Sequence, residues 1–157
     1  MTKYVLSIDG GGVRGLASAT FLSELDKSLP KKISKSFDLI VGTSTGGIIA
    51  LAISILKTEG EDLINIYSRE NLKEIFSPLR YRILGSKYAG KSKRKIFENY
   101  FKGETLSSAE VPIIITAFDL EKRRIKMFKS WSEGYLPARR VAAATSAAPT
   151  YFPAESI

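Results

Sequence analysis

The hydrophobic pattern of this 157-residue chain alternates between short apolar runs and stretches with helical spacing. Three short apolar runs predict buried β-strands, at residues 3–9 (KYVLSID), 37–41 (FDLIV) and 111–118 (VPIIITAF). Residues 124–129 (RIKMFK) alternate basic and apolar positions. This alternation predicts a fourth strand with one exposed face, and residues 119–122 form the turn before it.

Helical spacing fills the intervals between the predicted strands. The predicted helices cover residues 15–29, 46–56, 61–71, 93–101 and 137–148. Residues 77–92 carry Pro, Gly and many basic residues, which predicts a loop. The repeated order of strand, glycine turn and helix is typical of an α/β fold with parallel strands. Because we find no linker and no internal repeat, we expect a single domain over residues 1–157.

Cysteine and histidine are both absent from the sequence. Their absence excludes disulfides, thiol nucleophiles, Cys-ligated zinc and a Ser-His-Asp triad within this chain. A working serine would therefore need another group to accept its proton. We expect neither a metal nor a cofactor.

Two features of the sequence bear on its location. The longest apolar run, residues 48–56, is far shorter than the roughly 20 residues of a membrane-spanning helix. The first residues also lack the apolar core of a signal peptide. These features favour a cytoplasmic protein, while association with a membrane and export without a classical signal peptide stay open.

The formal net charge of +8 is concentrated in one part of the chain. Residues 80–140 hold 15 of the 24 basic residues and 6 of the 16 acidic ones. Such a stretch attracts anionic partners. Since no nucleic-acid reader motif is present, we expect peripheral contact with an anionic membrane through residues 80–140, and no nucleic acid. A solvated basic surface is the alternative. The aromatic residues in this stretch would either dock on the membrane or pack onto the core: Tyr81, Tyr88, Phe97, Tyr100 and Phe101.

The first glycine turn, DGGGVRG, joins the first predicted strand to the first predicted helix. Consecutive glycines let a backbone approach a ligand closely, and their N–H groups can hold an anion. Gly10, Gly12 and Gly15 also fit the pattern G-x-G-x-x-G. However, the acidic residue that a dinucleotide site has about 20 positions later, at a strand end, is missing. A dinucleotide loop and a purely structural turn are the alternatives to an anion site.

The second glycine turn has the pattern G-x-S-x-G and lies between a predicted strand and a predicted helix. It consists of Gly42, Thr43, Ser44, Thr45 and Gly46. In a nucleophile elbow, small flanking residues permit a sharp turn that exposes the serine hydroxyl at the end of a strand. A capping serine between two glycines is the alternative.

The two glycine turns together supply the two parts that an acyl-transfer site needs. Acyl transfer needs a nucleophile and, close to it, donors for the oxyanion. Ser44 offers the nucleophile, and the backbone of residues 10–12 offers the donors from the adjacent strand end. We therefore expect the two turns to converge on a single cleft.

Three blocks of the sequence together resemble the patatin-like phospholipase family: DGGGVRG, GTSTGG and AAATSAAPTYFP. The resemblance spans essentially the whole chain. It implies a three-layer α/β/α hydrolase with a mostly parallel central sheet. It also implies hydrolysis of fatty acyl esters of phospholipids or other lipids by a Ser-Asp pair without histidine, in the manner of a phospholipase A-type esterase.

Carried onto this chain, the resemblance implies roles for individual residues. Ser44 is the expected nucleophile. The expected oxyanion site is formed by Gly10, Gly11 and Gly12, with Arg14 beside them.

The chain departs from the family pattern at the catalytic Asp, which the family carries in an Asp-Gly turn shortly after the block that ends at Pro153. Asp119 is the last Asp of the sequence, and its predicted place at a hairpin tip among basic residues makes it a poor substitute base. We therefore expect the domain to be incomplete at its C-terminus, with the Asp supplied by a C-terminal remainder or a second chain. A catalytically inactive or split lipid- or membrane-binding fragment is the alternative.

Overall fold

In a computed structural model, which describes residues 2–75, 86–88 and 90–157, four strands form a mixed sheet. The strands are β1 (Val5–Ile8), β2 (Leu39–Thr43), β3 (Ile113–Asp119) and β4 (Arg124–Lys129). They lie in the order β1-β2-β3-β4, with β1, β2 and β3 parallel and β4 antiparallel to β3. The three parallel strands therefore end at the same side of the sheet, which we call the carboxyl edge.

Helices connect these strands and cover the buried face of the sheet. They are α1 (Gly15–Ser28), α2 (Thr45–Leu51), α3 (Asp62–Asn65), α4 (Arg69–Ile75), α5 (Gly90–Phe101) and α6 (Ala138–Thr145). A π-helical turn (Ala52–Leu56) extends α2, which packs on β1, β2 and β3, and α6 packs on β3, α2 and α5. These contacts confirm the predicted layered α/β fold with a mostly parallel sheet, in a three-layer-like arrangement.

The two faces of the sheet differ in burial. Side chains alternate between the faces along each strand. The face toward α2 carries the buried residues Ile8, Ile40, Ile113, Ile115 and Phe128. The opposite face carries the exposed residues Val5, Phe118, Ile125 and Met127. The hydrophobic core thus lies between the sheet and the helices α2 and α6.

The predicted strand over 124–129 coincides with β4, but the predicted single helix over 61–71 is wrong. Two short helices, α3 and α4, replace it. Asn71 Nδ2 donates to the Ile66 carbonyl, and the Ser68 hydroxyl accepts the Asn71 N–H at 3.3 Å. Ser68 therefore caps the start of α4, and such side-chain bonds to the backbone interrupt a continuous helix.

The predicted loop over 77–92 falls largely outside the described residues. The prediction is wrong for residues 90–92, which belong to a helix, because α5 begins at Gly90 rather than at Lys93. A Cβ atom at Gly90 would lie 3.0 Å from Pro153 Cγ. The first turn of α5 thus packs closely against the C-terminal segment.

A buried lysine fastens the C-terminal segment to α5. The Lys93 side chain is 2% exposed, and its ammonium group donates to the Ala143 carbonyl at 3.1 Å. The ammonium lies 3.8 Å from Glu155 Oε1 and 4.5 Å from the centre of the Phe152 ring. Glu155 also accepts a hydrogen bond from Arg94 at 3.0 Å. Lys93 is therefore part of the interior, although it lies in the basic stretch that we predicted to be a surface.

The burial of Lys93 predicts a specific dependence of stability on pH. Burial lowers the pKa of Lys93 to about 8, although the Glu155 carboxylate opposes this shift. Between this pKa and the ordinary value of 10.5, the unfolded chain binds a proton that the folded chain lacks, so stability rises with pH. Between pH 8 and pH 10, the free energy of unfolding of the wild type should therefore rise by roughly 2 kcal/mol relative to K93M.

Urea denaturation, followed by circular dichroism at several pH values, measures this difference. K95M removes an exposed lysine from the same helix and is the matched control, so its pH dependence should follow that of the wild type. Parallel curves for K93M and the wild type would contradict the prediction.

Candidate active site

Ser44 lies in a sharp turn between β2 and α2 at the carboxyl edge. Its φ of 55° and ψ of −122° are unusual for a residue with a side chain. A Cβ atom at Gly42 would overlap the Gly46 carbonyl, and a Cβ atom at Gly46 would overlap the Ile8 carbonyl. The turn is therefore possible only with glycine at both positions, and it has the conformation of a nucleophile elbow.

The triple-glycine turn lies directly against this elbow. A Cβ atom at Gly10 would be 2.9 Å from Ser44 Cβ and 3.0 Å from the Thr43 carbonyl oxygen. The Gly11 N–H donates to Thr45 Oγ1 at 3.1 Å. The structure thus brings the two glycine turns together, as expected from the two adjacent strand ends.

The N–H groups of the triple-glycine turn have different partners. The Gly11 N–H is bound by Thr45, and the Arg14 N–H donates to the Gly11 carbonyl at 3.2 Å. Gly12 has a φ of 59° and begins a 3-10 turn (Gly12–Arg14). Helical geometry leaves the first N–H groups of such a turn without an intrahelical acceptor. The Gly12 N–H is therefore better placed to receive a ligand than the Gly11 N–H.

A second set of contacts, which the sequence patterns did not reveal, fixes the backbone of Ser44 and Thr45. The Ser44 N–H donates to Thr145 Oγ1 at 2.8 Å, and the Thr145 hydroxyl donates to the Thr116 carbonyl at 2.7 Å. Tyr67 donates from its hydroxyl to the Thr45 carbonyl at 3.3 Å, and burial raises the pKa of Tyr67 far above its usual value. Thr145 lies in the AAATSAAPTYFP block, but only the folded chain shows which of its residues contacts Ser44.

Ser44 and the triple-glycine turn line a common cavity of about 800 Å³. This volume lies within the range of small-molecule sites. Gly11, Gly12 and Arg14 line the cavity with Ser44, whereas Gly10, which lies close to the Ser44 side chain, lines a smaller neighbouring pocket together with Asp9. Most of the remaining wall is apolar or aromatic. It includes Ile48, Ala52, Ile66, Leu72, Ile75, Ile96, Phe97, Phe101 and Phe152.

The charged groups of the cavity wall are all cationic in the part of the chain that the structure describes. Arg14, Lys73 and Lys93 contribute to the wall, and none of the described lining residues is Asp or Glu. Asp119 lies in the turn after β3, where its carboxylate accepts the N–H groups of Lys122 and Glu121. These hydrogen bonds hold the pKa of Asp119 below its ordinary value, which makes it a weaker base.

The aromatic residues of the basic stretch follow both alternatives left open by the sequence. Phe97 and Phe101 pack onto the core, because both are buried and belong to the hydrophobic core. Tyr88 lines the cavity, Tyr100 is 37% exposed, and Tyr81 lies outside the described residues. Phe97 and Phe101 are four residues apart in α5, so they lie on the same face of the helix, and that face packs against the core.

Two kinds of feature are absent from residues 2–75, 86–88 and 90–157. No group of three or more His, Cys, Asp or Glu side chains is placed to hold a metal ion. No helix is both long and apolar enough to cross a membrane.

Known proteins with similar sequences and structures match nearly the whole chain. Patatin-like protein 2 from Oryza sativa subsp. indica is 32% identical, over 96% of this chain and 44% of its own length. A cGAMP-activated phospholipase from Pseudomonas aeruginosa is 32% identical, over 97% of this chain and 49% of its own length. This chain therefore spans about half the length of these relatives.

The crystal structure of VipD from Legionella pneumophila has a similar fold. It superposes with a TM-score of 0.65 at 10% sequence identity, over 96% of this chain and 43% of that one. A family model described as patatin-like phospholipase matches residues 6–157. On this match, together with the two glycine turns at the carboxyl edge, the chain belongs to the patatin-like phospholipase family.

Proposed function

We propose that this chain carries the nucleophile and the oxyanion site of a lipid acyl hydrolase, a phospholipase A-type esterase. The observation that carries the proposal is the contact between the Gly10 backbone and Ser44 at the wall of a largely apolar cavity. Family membership and the name of the Pseudomonas aeruginosa phospholipase support the same reaction class. The cavity would take a fatty acyl chain, because its wall is mostly apolar.

In the proposed reaction, Ser44 Oγ attacks the carbonyl carbon of a fatty acyl ester and the carbonyl oxygen becomes an oxyanion. Backbone N–H groups aimed at such an oxyanion stabilise it, by about 3 kcal/mol per donor in measured cases. The Gly12 N–H is the first donor, and Arg14 adds positive charge beside it. The Gly11 N–H becomes a second donor once it leaves Thr45 Oγ1.

The proposed base is an Asp carboxylate supplied from outside residues 1–157, by a C-terminal remainder or by a second chain. It accepts the Ser44 proton during attack, and that proton then passes to the leaving alcohol. In the second half, water attacks the acyl-serine ester and loses a proton to the carboxylate, the bond to Ser44 Oγ breaks with release of the fatty acid, and the carboxyl group returns the proton to Ser44 Oγ. The absence of Asp and Glu from the described wall of the cavity supports an external base.

The same absence favours a second candidate function, a catalytically inactive or split fragment that binds lipid or membrane. Both candidates use the apolar cavity, but only the first requires a proton acceptor at Ser44. Hydrolysis that depends on Ser44 separates the two candidates.

Replacement of Ser44 tests the proposed nucleophile. In a preparation that contains this chain and hydrolyses a fluorogenic fatty acyl ester, S44A should lower kcat by on the order of a thousandfold or more. S146A is the matched control, because Ser146 lines the same cavity but its hydroxyl donates to the Ala142 and Ala143 carbonyls. Turnover retained by S44A, or lost equally in S146A, would refute the nucleophile assignment.

A methyl group at Gly10 tests the contact between the two glycine turns. In G10A the new Cβ would press on Ser44 Cβ and on the Thr43 backbone, so the serine must move. Because small displacements of reacting groups are costly, we expect kcat to fall by on the order of 100-fold. G103A places the same methyl group in open space and should keep the wild-type kcat. An unchanged kcat in G10A would contradict the proposed geometry.

Removal of the Thr145 hydroxyl tests the support behind Ser44. T145V leaves the Ser44 N–H and the Thr116 carbonyl without their shared partner, which should lower the free energy of unfolding by about 1–3 kcal/mol. We expect kcat to fall as well, while T145S, which keeps the hydroxyl, should restore both values. Urea denaturation and ester hydrolysis measure the two effects, and a fully stable, fully active T145V would disagree with this role.

A further inference from the structure

The turn between β3 and β4 combines exposed apolar and basic side chains. We call residues 118–125 the hairpin tip. Phe118 and Leu120 are each 59% exposed, and Ile125 is 65% exposed. The exposed cations of the tip are Lys122, Arg123 and Arg124, and its acidic residues are Asp119 and Glu121.

The hairpin tip is fixed in place by backbone and side-chain bonds. Phe118 pairs with Ile125 and Asp119 pairs with Arg124 in the antiparallel register. The Asp119 carboxylate accepts the N–H groups of Glu121 and Lys122 at 3.1 and 3.0 Å. A partner would therefore meet a preformed surface, and binding would cost little conformational entropy.

The hairpin tip projects from the same edge of the sheet as Ser44. Thr43, which directly precedes Ser44, pairs with Thr116 of β3, and their hydroxyls are 2.6 Å apart. β3 then continues for residues 117–119 beyond this pair. At about 3.3 Å per residue, the tip extends roughly 10 Å past the level of the elbow.

The charges at this edge point to an anionic partner. The tip carries three adjacent exposed cations, and one of its two carboxylates is held on backbone N–H groups. Arg14 and Lys73 line the cavity that contains Ser44, in a wall with no acidic residue among the described ones. A planar anionic surface at this edge would thus meet cations at the tip and at the cavity, and they outnumber the carboxylates of Asp119, Glu121 and Asp9, which follows β1 beside Arg14.

We propose that the hairpin tip docks the protein on an anionic phospholipid bilayer, with Phe118, Leu120 and Ile125 at the interface and the neighbouring cations on lipid phosphates. Each basic residue near an anionic membrane contributes about 1 kcal/mol, or about fivefold in affinity. Docking there brings the carboxyl edge toward the lipid. The functional role of this docking depends on the proposed lipid hydrolysis, but the binding itself can be measured without turnover.

Vesicle binding by the S44A protein tests the proposal, because no product forms during the measurement. S44A should sediment with phosphatidylcholine–phosphatidylglycerol vesicles at low salt, and far less with pure phosphatidylcholine. Adding K122Q/R123Q/R124Q should weaken binding by about 100-fold. The matched control K31Q/K32Q/K35Q removes the same charge just before β2, at the opposite edge of the sheet, and should weaken binding less than threefold.

The apolar part of the surface has its own test. F118S/I125S changes two exposed side chains and should weaken binding at least tenfold without changing the urea midpoint. If both charge variants weaken binding equally, or if F118S/I125S binds like its parent, the tip is not the docking site. A dimer that F118S/I125S dissociates, or RNA binding in place of vesicle binding, would also overturn the proposal.

The single tryptophan of the chain reports the orientation. Trp131 follows the end of β4 that lies away from the tip, so its emission should not shift to the blue on vesicles. In L120W/W131F the tryptophan lies in the tip, and its emission should shift to the blue by several nanometres. A blue shift of Trp131 combined with no shift in L120W/W131F would show that the opposite edge faces the membrane.

Discussion

The candidate site depends on a backbone contact between the end of β1 and the start of α2 that only glycine permits. The Cα atom of Gly46 lies against the Ile8 carbonyl, and Gly42 lies against the Gly46 carbonyl. These contacts start α2 directly at the strand ends and leave Ser44 at a φ of 55°. Such a conformation costs about 1–3 kcal/mol and persists only where the surroundings hold it.

The surroundings hold Ser44 through both the core and a polar contact. α2 is almost entirely buried, so the helix cannot rotate to relieve its first residue without exposing apolar surface. The Thr145 hydroxyl accepts a hydrogen bond from the Ser44 N–H and donates one to the Thr116 carbonyl of β3. One side chain thus ties the elbow to both α6 and the sheet. The position of Ser44, the proposed nucleophile, is therefore a property of the whole fold, not only of the glycine turn.

Local patterns explain which features could be predicted from the sequence. The strands, the helices around them and both glycine turns follow from residues that are neighbours along the chain, as in β4 and the elbow at Ser44. Thr145 could not be found this way, because it is 101 residues from its partner. The break between α3 and α4 depends on the side-chain bonds of Ser68 and Asn71, which compete with a continuous helix.

The basic stretch shows why net charge alone does not locate a binding surface. Lys93 is buried beside Glu155, and Lys126 is paired with Glu133. Such cations are neutralised at short range and contribute little to the field outside the protein. Lys122, Arg123 and Arg124 are all exposed, and Phe118 and Ile125 are exposed beside them. An anionic surface would therefore be attracted to the turn after β3 rather than uniformly to residues 80–140, since only accessible charges can exchange their counterions for a partner.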